Sequence, residues 1–377
     1  MKIGFLITYF YPFGGGAESN CLALALELAK KGHEVHVFTS DRKDGKTAKK
    51  EETYEGIKIH RFRTLFRYKY YFAFYPSILK ILSYNLDVLH VHAFGFPQHD
   101  LVIMLEKLKG TKLVCTPHGP FMALKNYSKP AQMANYIYMP IIKFINSLYD
   151  KIIEVNPYQY SWMKYAGVDK KQVAFVPNGI SKEAFRKVEI DKYVKKYNLN
   201  GKFVISYLGR IQEYKGLDQI IKIMPELLKK NKDIIFLAIG KDAGDSERLK
   251  KIAEKLNLKN VIFTGEVSEE EKLALLTISE IFAFPSEWEA FGISLLEAMA
   301  RGNAVISSGT EGGKFLVDKN AGFVYKFNNL SDLRKKTLML ITNSKLREKM
   351  QQNNIKKAKL FLWSIVVKDL EKMYKEI

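Results

Sequence analysis

Strand-like and helix-like runs alternate along this chain, stop, and then alternate again. Lys2–Thr8 is a short apolar run, followed by the turn-like stretch YFYPFGGG. From Ala17 to Lys31 apolar residues recur at helical spacing (Cys21, Leu24, Ala25, Leu28), and Gly32 supplies a stop. EVHVFTS at Glu34–Ser40 then reads as a second strand. Further strand-like runs lie at Ile57–Phe62, Val88–His92, Lys112–Thr116, Lys151–Val155 and Val173–Val176. Ser181–Gly201 is polar and Lys-rich, without a strong core signal, and after it the pattern restarts. Strands are expected at Phe203–Leu208, Ile234–Ile239, Val261–Thr264, Ile281–Phe284 and Ala304–Ser307, with helices between them. Two α/β domains, each a doubly wound parallel sheet, follow from this alternation. A ligand is expected at the carboxyl ends of both sets of strands, in a cleft between the domains.

A chain of 377 residues is long enough for two such domains. Cys21 and Cys115 lie far apart and without metal-ligand spacing, which predicts reduced thiols in a cytosolic protein. Met1 and Lys2 run into IGFLIT, so no signal peptide is expected, and no apolar run reaches the roughly 18–20 residues of a membrane span. Sixty Lys and Arg against 40 Asp and Glu leave a net charge of +20. Such a surplus points to an anionic partner, or to Lys-rich solvated helices alone. Between Glu55 and Asp87 no acid occurs, while Lys58, Arg61, Arg63, Arg67, Lys69 and Lys80 alternate with aromatics that include Tyr70 and Tyr71. Bases mixed with aromatics suit an anchor on anionic lipid. The same pattern also fits buried aromatics beneath solvated bases.

Three segments carry chemistry. GGGAES at Gly14–Ser19 is a glycine loop entering a helix, where backbone N–H groups of Gly15 and Gly16 could approach phosphate. A dinucleotide fingerprint fails there, because Ser19 stands where a third glycine belongs. In YLGRIQEYKGLD, Arg210 follows a strand and Lys215 precedes a helix. A guanidinium fork and an ammonium on one loop suit a diphosphate. PSEWEAFGISLLEA places Glu289 before a helix start at Gly292 and Ile293, and Glu297 more than a turn inside it. Carboxylate, anion seat and carboxylate match the hydroxyl, charge and hydroxyl order of a sugar–diphosphate–ribose.

The E-x7-E spacing of PSEWEAFGISLLEA resembles the signature of the family-4 retaining glycosyltransferases of the GT-B fold. GGGAES looks like that family's N-terminal glycine loop and TPHGP at Thr116–Pro120 like its His-Gly motif. VPNGI at Val176–Ile180, the Arg/Lys loop, and FLWSIVVKDLEKMY as a terminal helix crossing back onto the first domain also match in order. The resemblance implies an N-terminal acceptor-binding domain over residues 1–185, joined by 357–377, and a nucleotide-sugar domain over 186–356. It implies that Arg210 and Lys215 hold the donor diphosphate and that backbone around Phe291, Gly292 and Ile293 seats phosphate. Glu297 would take the ribose, Glu289 and His118 the donor sugar, and Glu266 and Val267 would flank the base. Gly15 and Gly16 would face phosphate or acceptor. Glu289, His118, Arg210 and Lys215 are the expected catalytic set. No metal or other cofactor is expected, since no D-x-D occurs and Arg and Lys would replace the cation. Lys314 and Phe315 depart from the family at a place where an acid is common, as does Ser364 after Trp363.

The expected reaction moves a hexosyl group from a UDP- or GDP-sugar to a lipid-linked or glycan acceptor, in the cytoplasm or at the inner face of the cell membrane. Arg61, Arg63, Arg67, Lys69, Tyr70 and Tyr71 are the candidates for contact with membrane or acceptor. A nucleotide-sugar epimerase or other GT-B enzyme is the nearest alternative. A glycoside hydrolase would use two carboxylates but has no need of Arg210 and Lys215. A nucleic-acid binder could use the charge, yet no groove-reading motif occurs and no nucleic-acid partner is expected.

Overall fold

The computed structural model describes residues 1–43, 45–68, 72–94, 96–119 and 128–377, which form two compact units. The first comprises Met1–Gly179 and Trp363–Ile377, the second Ile180–Leu362.

In the first unit the chain runs β1 (Lys2–Leu6), α1 (Gly16–Lys30), β2 (Glu34–Ser40), β3 (Glu51–Tyr54) and β4 (Ile57–Phe62). It continues through β5 (Val88–His92), α2 (Pro97–Leu108), β6 (Lys112–Thr116), α3 (Lys129–Leu148), β7 (Lys151–Glu154) and β8 (Val173–Phe175). The eight strands lie in the order β8-β7-β6-β5-β1-β2-β4-β3, parallel throughout except where β3 meets β4. Every residue of β5 is buried, including His90 and His92, as expected for a strand covered on both faces. β1 lies between β5 and β2, so chain connections depart in opposite senses on its two sides. The loops after β1, β5 and β6 therefore gather at the carboxyl ends of adjacent strands.

In the second unit the elements are β9 (Phe203–Leu208), α4 (Leu217–Leu228), β10 (Ile234–Ile239), β11 (Val261–Gly265), α5 (Glu269–Ile278) and β12 (Ile281–Phe284). Then come α6 (Ile293–Ala300), β13 (Ala304–Ser308), α7 (Glu311–Leu316) and β14 (Gly322–Tyr325). The sheet is wholly parallel in the order β11-β10-β9-β12-β13-β14, and the direction in which successive strands are added reverses between β9 and β12. Ile220, Ile221, Met224 and Leu227 of α4 pack on Phe236, Ala238 and Ile306 of the sheet.

The units change over at Ile180 and Leu362, whereas the sequence reading divided the chain at 185/186 and 356/357. The Ile180 N–H donates to Phe361 O at 2.7 Å, and Ile180 bridges to Leu362, which ties both crossings to one place in the second unit. The final helix, α8 (Trp363–Glu376), then packs in the first unit. It buries Val366, Val367, Leu370, Met373 and Tyr374 and pairs Glu371 with Lys31 at 2.7 Å.

Candidate active site

In the second unit the site is built where the sheet reverses. Arg210 and Lys215 stand on the loop after β9, and Ser286 to Phe291 on the loop after β12. These loops are laced together. The Glu287 N–H donates to Tyr214 O at 2.7 Å, Gln219 Nε2 to Pro285 O at 3.1 Å, and Tyr214 stacks on Trp288 with ring centres 4.3 Å apart. Lys215 Nζ donates to Glu289 Oε1 and lies 4.7 Å from the Tyr214 ring centre. Burial depresses the Lys215 pKa, but the Glu289 carboxylate and the Tyr214 hydroxyl together more than offset it and hold the ammonium above its ordinary range. Ser286 Oγ donates to the same carboxylate oxygen at 3.1 Å. The Arg210 guanidinium, by contrast, is exposed and makes no hydrogen bond or ion pair among the described residues.

Gly292 precedes α6 with φ 89°, a left-handed conformation that side chains disfavour. A Cβ there would meet Phe284 at 2.9 Å, so glycine is required twice over. Phe291 is buried, and α7 packs so closely beneath it that a Cβ on Gly312 would lie 2.0 Å from Phe291 O. The Gly312 N–H donates to Glu289 O at 3.1 Å and fixes the loop from below. Glu297, one turn into α6, accepts from Lys272 Nζ of α5. Burial raises the Glu297 pKa despite that ammonium. Val267, at the end of the β11 loop, is half-buried against the core beside β10, and Glu266 is exposed.

In the first unit, Gly15 precedes α1 in an extended conformation, and the buried Glu18 carboxylate lies where a Gly15 Cβ would stand, 2.1 Å away. Lys43 pairs with Glu18 at 3.0 Å and donates to Gly14 O at 3.0 Å. The glycine loop thus holds a carboxylate and an ammonium of its own. His118 follows β6 in a left-handed conformation, φ 55°, with its Nε2 2.8 Å from His92 Nδ1.

The basic aromatic tract divides. Arg61 is buried, and its guanidinium donates to Lys49 O at 2.8 Å and Tyr11 O at 2.6 Å and pairs with Glu52 at 2.7 Å. It holds the edge strand and the loop after β1 together, so the expectation that it faces a membrane is corrected. Phe62 and Tyr75 are core residues, whereas Arg63, Leu65, Phe66 and Phe74 are exposed beside the antiparallel hairpin Phe66–Tyr68 and Phe72–Phe74. Lys69, Tyr70 and Tyr71 lie outside the described residues, as does the side chain of Arg67. A second apolar surface went unnoticed in the sequence: Met133, Tyr136, Ile137, Ile141 and Phe144 of α3 are all exposed on one face. Lys272, Tyr214, Trp288 and His92 also escaped the sequence reading. Lys272 follows three glutamates on a helix, which looks like solvated charge, and nothing local links it to Glu297.

Among the described residues, no group of three or more His, Cys, Asp or Glu is placed to hold a metal ion, and no helix is long and apolar enough to cross a membrane.

Residues 14–184 match the family model Glycosyltransferase Family 4, and residues 189–357 match Glycosyl transferases group 1. An uncharacterized glycosyltransferase of Methanocaldococcus jannaschii is 25% identical over 393 residues, covering 98% of this chain and 97% of the relative. The phosphatidyl-myo-inositol mannosyltransferase of Mycolicibacterium smegmatis is 24% identical over 385 residues, covering 100% of this chain and 94% of its own. The sucrose-phosphate synthase of Thermosynechococcus elongatus superposes with a TM-score of 0.79 at 19% identity, covering 100% of this chain and 98% of that one. HepE of Anabaena, solved in complex with UDP and glucose, superposes with a TM-score of 0.77 at 16% identity, with full coverage of both chains.

Proposed function

Because the chain belongs to the family-4, group 1 glycosyltransferases of the GT-B fold, we propose that it transfers a hexosyl group from a UDP- or GDP-sugar to a lipid-linked or glycan hydroxyl, with retention of anomeric configuration and without a metal ion. One observation carries this reading most: the reversal point of the second sheet holds on one loop Arg210, unpaired among the described residues, and a half-buried Lys215, with Glu289 on the next. An incoming diphosphate offers Lys215 a second anionic partner and Arg210 its first. Both cations would then stabilise the charge that grows on the leaving phosphate. Glu289, held by Lys215 and Ser286, would orient sugar hydroxyls, while the N–H groups at the start of α6 take phosphate oxygens. Glu297 would hand part of its hydrogen bonding from Lys272 to the ribose.

A lipid acceptor is favoured by the exposed apolar face of α3, whose sequence from Lys129 to Leu148 contains no acid, and by the exposed Leu65, Phe66 and Phe74. The mycobacterial relative, a phosphatidyl-myo-inositol mannosyltransferase, acts in a lipid context consistent with this. Peripheral attachment to an anionic inner-membrane surface follows as part of the same proposal.

A thermal-shift and hydrolysis panel of nucleotide sugars, then acceptor screening with the best donor, tests the reaction. Anomeric configuration of the product read by NMR tests retention. Arg210→Ala and Glu289→Ala are each expected to lower transfer by two orders of magnitude or more. Unchanged rates in both would refute the site. Sugar-nucleotide interconversion without any acceptor would move the chain to the epimerase reading.

A further inference from the structure

Behind His118 stands a column of histidines that the transfer reaction does not explain. His90 stacks on His92 with ring centres 4.7 Å apart, and His92 on His118 at 5.0 Å. His90 is held at both nitrogens, by Tyr374 OH of α8 at 2.6 Å and by Thr116 Oγ1 at 2.7 Å. Phe5 of β1 closes the other side, 5.3 Å from His90 and 5.7 Å from His92. Burial pushes His118 down to about 4 and His90 down to about 3. It also takes His92 well below the usual range, helped by the neighbouring rings, so all three are neutral at physiological pH.

Neutrality makes the protons countable. Each ring carries one N–H, and the contact of 2.8 Å between His92 Nδ1 and His118 Nε2 needs a single proton between them. Two arrangements satisfy it: both rings protonated on Nδ1, or both on Nε2. His92 Nε2 distinguishes them. It is buried and has no hydrogen-bond partner among the described residues. A proton on that atom would be an orphaned buried N–H, which folded proteins rarely tolerate, whereas an unpaired acceptor is tolerated more often. The proton of His92 therefore sits on Nδ1 and is donated to His118 Nε2. That leaves the single proton of His118 on Nδ1, the nitrogen that makes no hydrogen bond among the described residues.

We propose that His92 is a positioning residue that fixes His118 in its Nδ1–H form, so that His118 meets the transferred sugar as a hydrogen-bond donor and not as a base. The role of the ring toward sugar rests on the proposed transfer reaction; the tautomer itself does not. The left-handed backbone at His118, φ 55°, is consistent with a side chain held in an enforced orientation. His90, braced by Tyr374 and Thr116, supplies the wall against which His92 is stacked.

Nitrogen-15 NMR of the imidazoles in the intact chain tests the tautomer, with signals assigned by loss in His92→Phe and His118→Ala. The expected spectrum shows His118 Nε2 unprotonated and Nδ1 protonated, and His92 likewise. A protonated Nε2 on His118 overturns the inference, whatever the substrate. Kinetics test the consequence. His92→Phe, which keeps an aromatic ring in the stack but removes the donor, is expected to lower kcat about 10–100-fold while donor KM moves less than about 3-fold. His92→Asn, whose amide N–H stands near the lost Nδ1–H, is expected to recover most of that loss. Its melting temperature serves as the folding control. The expected spectrum together with an unchanged kcat in His92→Phe overturns the positioning role. Absence of any sugar-nucleotide turnover in the wild-type chain also overturns that role, while leaving the tautomer assignment to stand or fall on the spectrum.

Discussion

Replacing Lys215 with Met removes one half of a charge pair whose side chains are only 13% and 16% exposed. The loss is asymmetric. Glu289 would keep its hydrogen bond from Ser286 Oγ but would face a half-buried environment without a counter-charge. Breaking a buried ion pair from one side costs about 3–5 kcal/mol, because the remaining charge is uncompensated. Removing both charges leaves only the hydrogen-bonding and packing differences, so Lys215→Met/Glu289→Gln should lie within about 1.5 kcal/mol of wild type. The double variant should therefore exceed Lys215→Met in stability by at least about 1.5 kcal/mol. Denaturant unfolding followed by the fluorescence of Trp288, which stacks on Tyr214 beside the pair, reads this directly. Transfer activity should behave oppositely. Lys215→Met loses a diphosphate contact, and the double variant, although restored in stability, should be no more active than either single one. A Lys215→Met protein as stable as wild type would refute the claim that the pair holds the two loops together. A stable and active double variant would refute the claim that its members act on the donor.

Asp100 of α2 offers a pH test. Burial lifts its pKa from the ordinary 3.8 to about 6, against the opposing hydrogen bond from Tyr138 OH. The native state therefore holds the proton more tightly, so this contribution to stability is complete below pH 3.8 and is lost as pH rises through about 6. With about 1.4 kcal/mol per pKa unit, Asp100→Asn should exceed wild type by at most about 3 kcal/mol above pH 6.5 and match it near pH 3.5, measured by urea unfolding. Parallel curves would sink the assignment. Gly292→Ala forces a side chain into φ 89° and against Phe284 at 2.9 Å. About 1–2 kcal/mol for the backbone and 1–3 for overpacking give an expected loss of about 2–5 kcal/mol, with donor affinity falling alongside. On α3, Ile137→Ser/Phe144→Ser removes exposed apolar area and should weaken sedimentation with anionic vesicles while leaving the melting temperature within about 2 °C. Equal binding to neutral and anionic vesicles by the wild-type chain would contradict the membrane reading.

The architecture was legible because parallel strands buried on both faces and helices with one apolar stripe leave periodic marks. IIFLAI, Ile234–Ile239, is buried at every position and could scarcely have been anything but an internal strand. The loop cations were legible for the same reason: once β9 and α4 were placed, Arg210 and Lys215 had to project from the carboxyl end. Charge partners were not. Lys215 with Glu289, Lys272 with Glu297 and Arg61 with Glu52 join residues that no periodicity relates. Arg61 was misread because a base among aromatics looks the same whether it is solvated or roofed over.

Two further features needed the third dimension. Along α3, Met139, Ile142 and Ile145 are buried while Ile137, Ile141 and Phe144 are exposed. A helix apolar on both sides does not announce which side its neighbours will cover. His92 and His118 are 26 residues apart: His92 ends β5 and His118 lies two residues beyond β6, the adjacent parallel strand, whose Thr116 is in register with His92. Strand order alone puts them in contact. From sequence came the two sheets, the glycine-led helix starts and the cationic loop, all set by local patterns of burial and backbone freedom. Which charge each lysine meets, which face of α3 stays bare and which nitrogen of His118 carries the proton were decided by contacts between elements distant in the chain, because hydrogen bonds and ion pairs depend on where atoms meet and not on the spacing of letters.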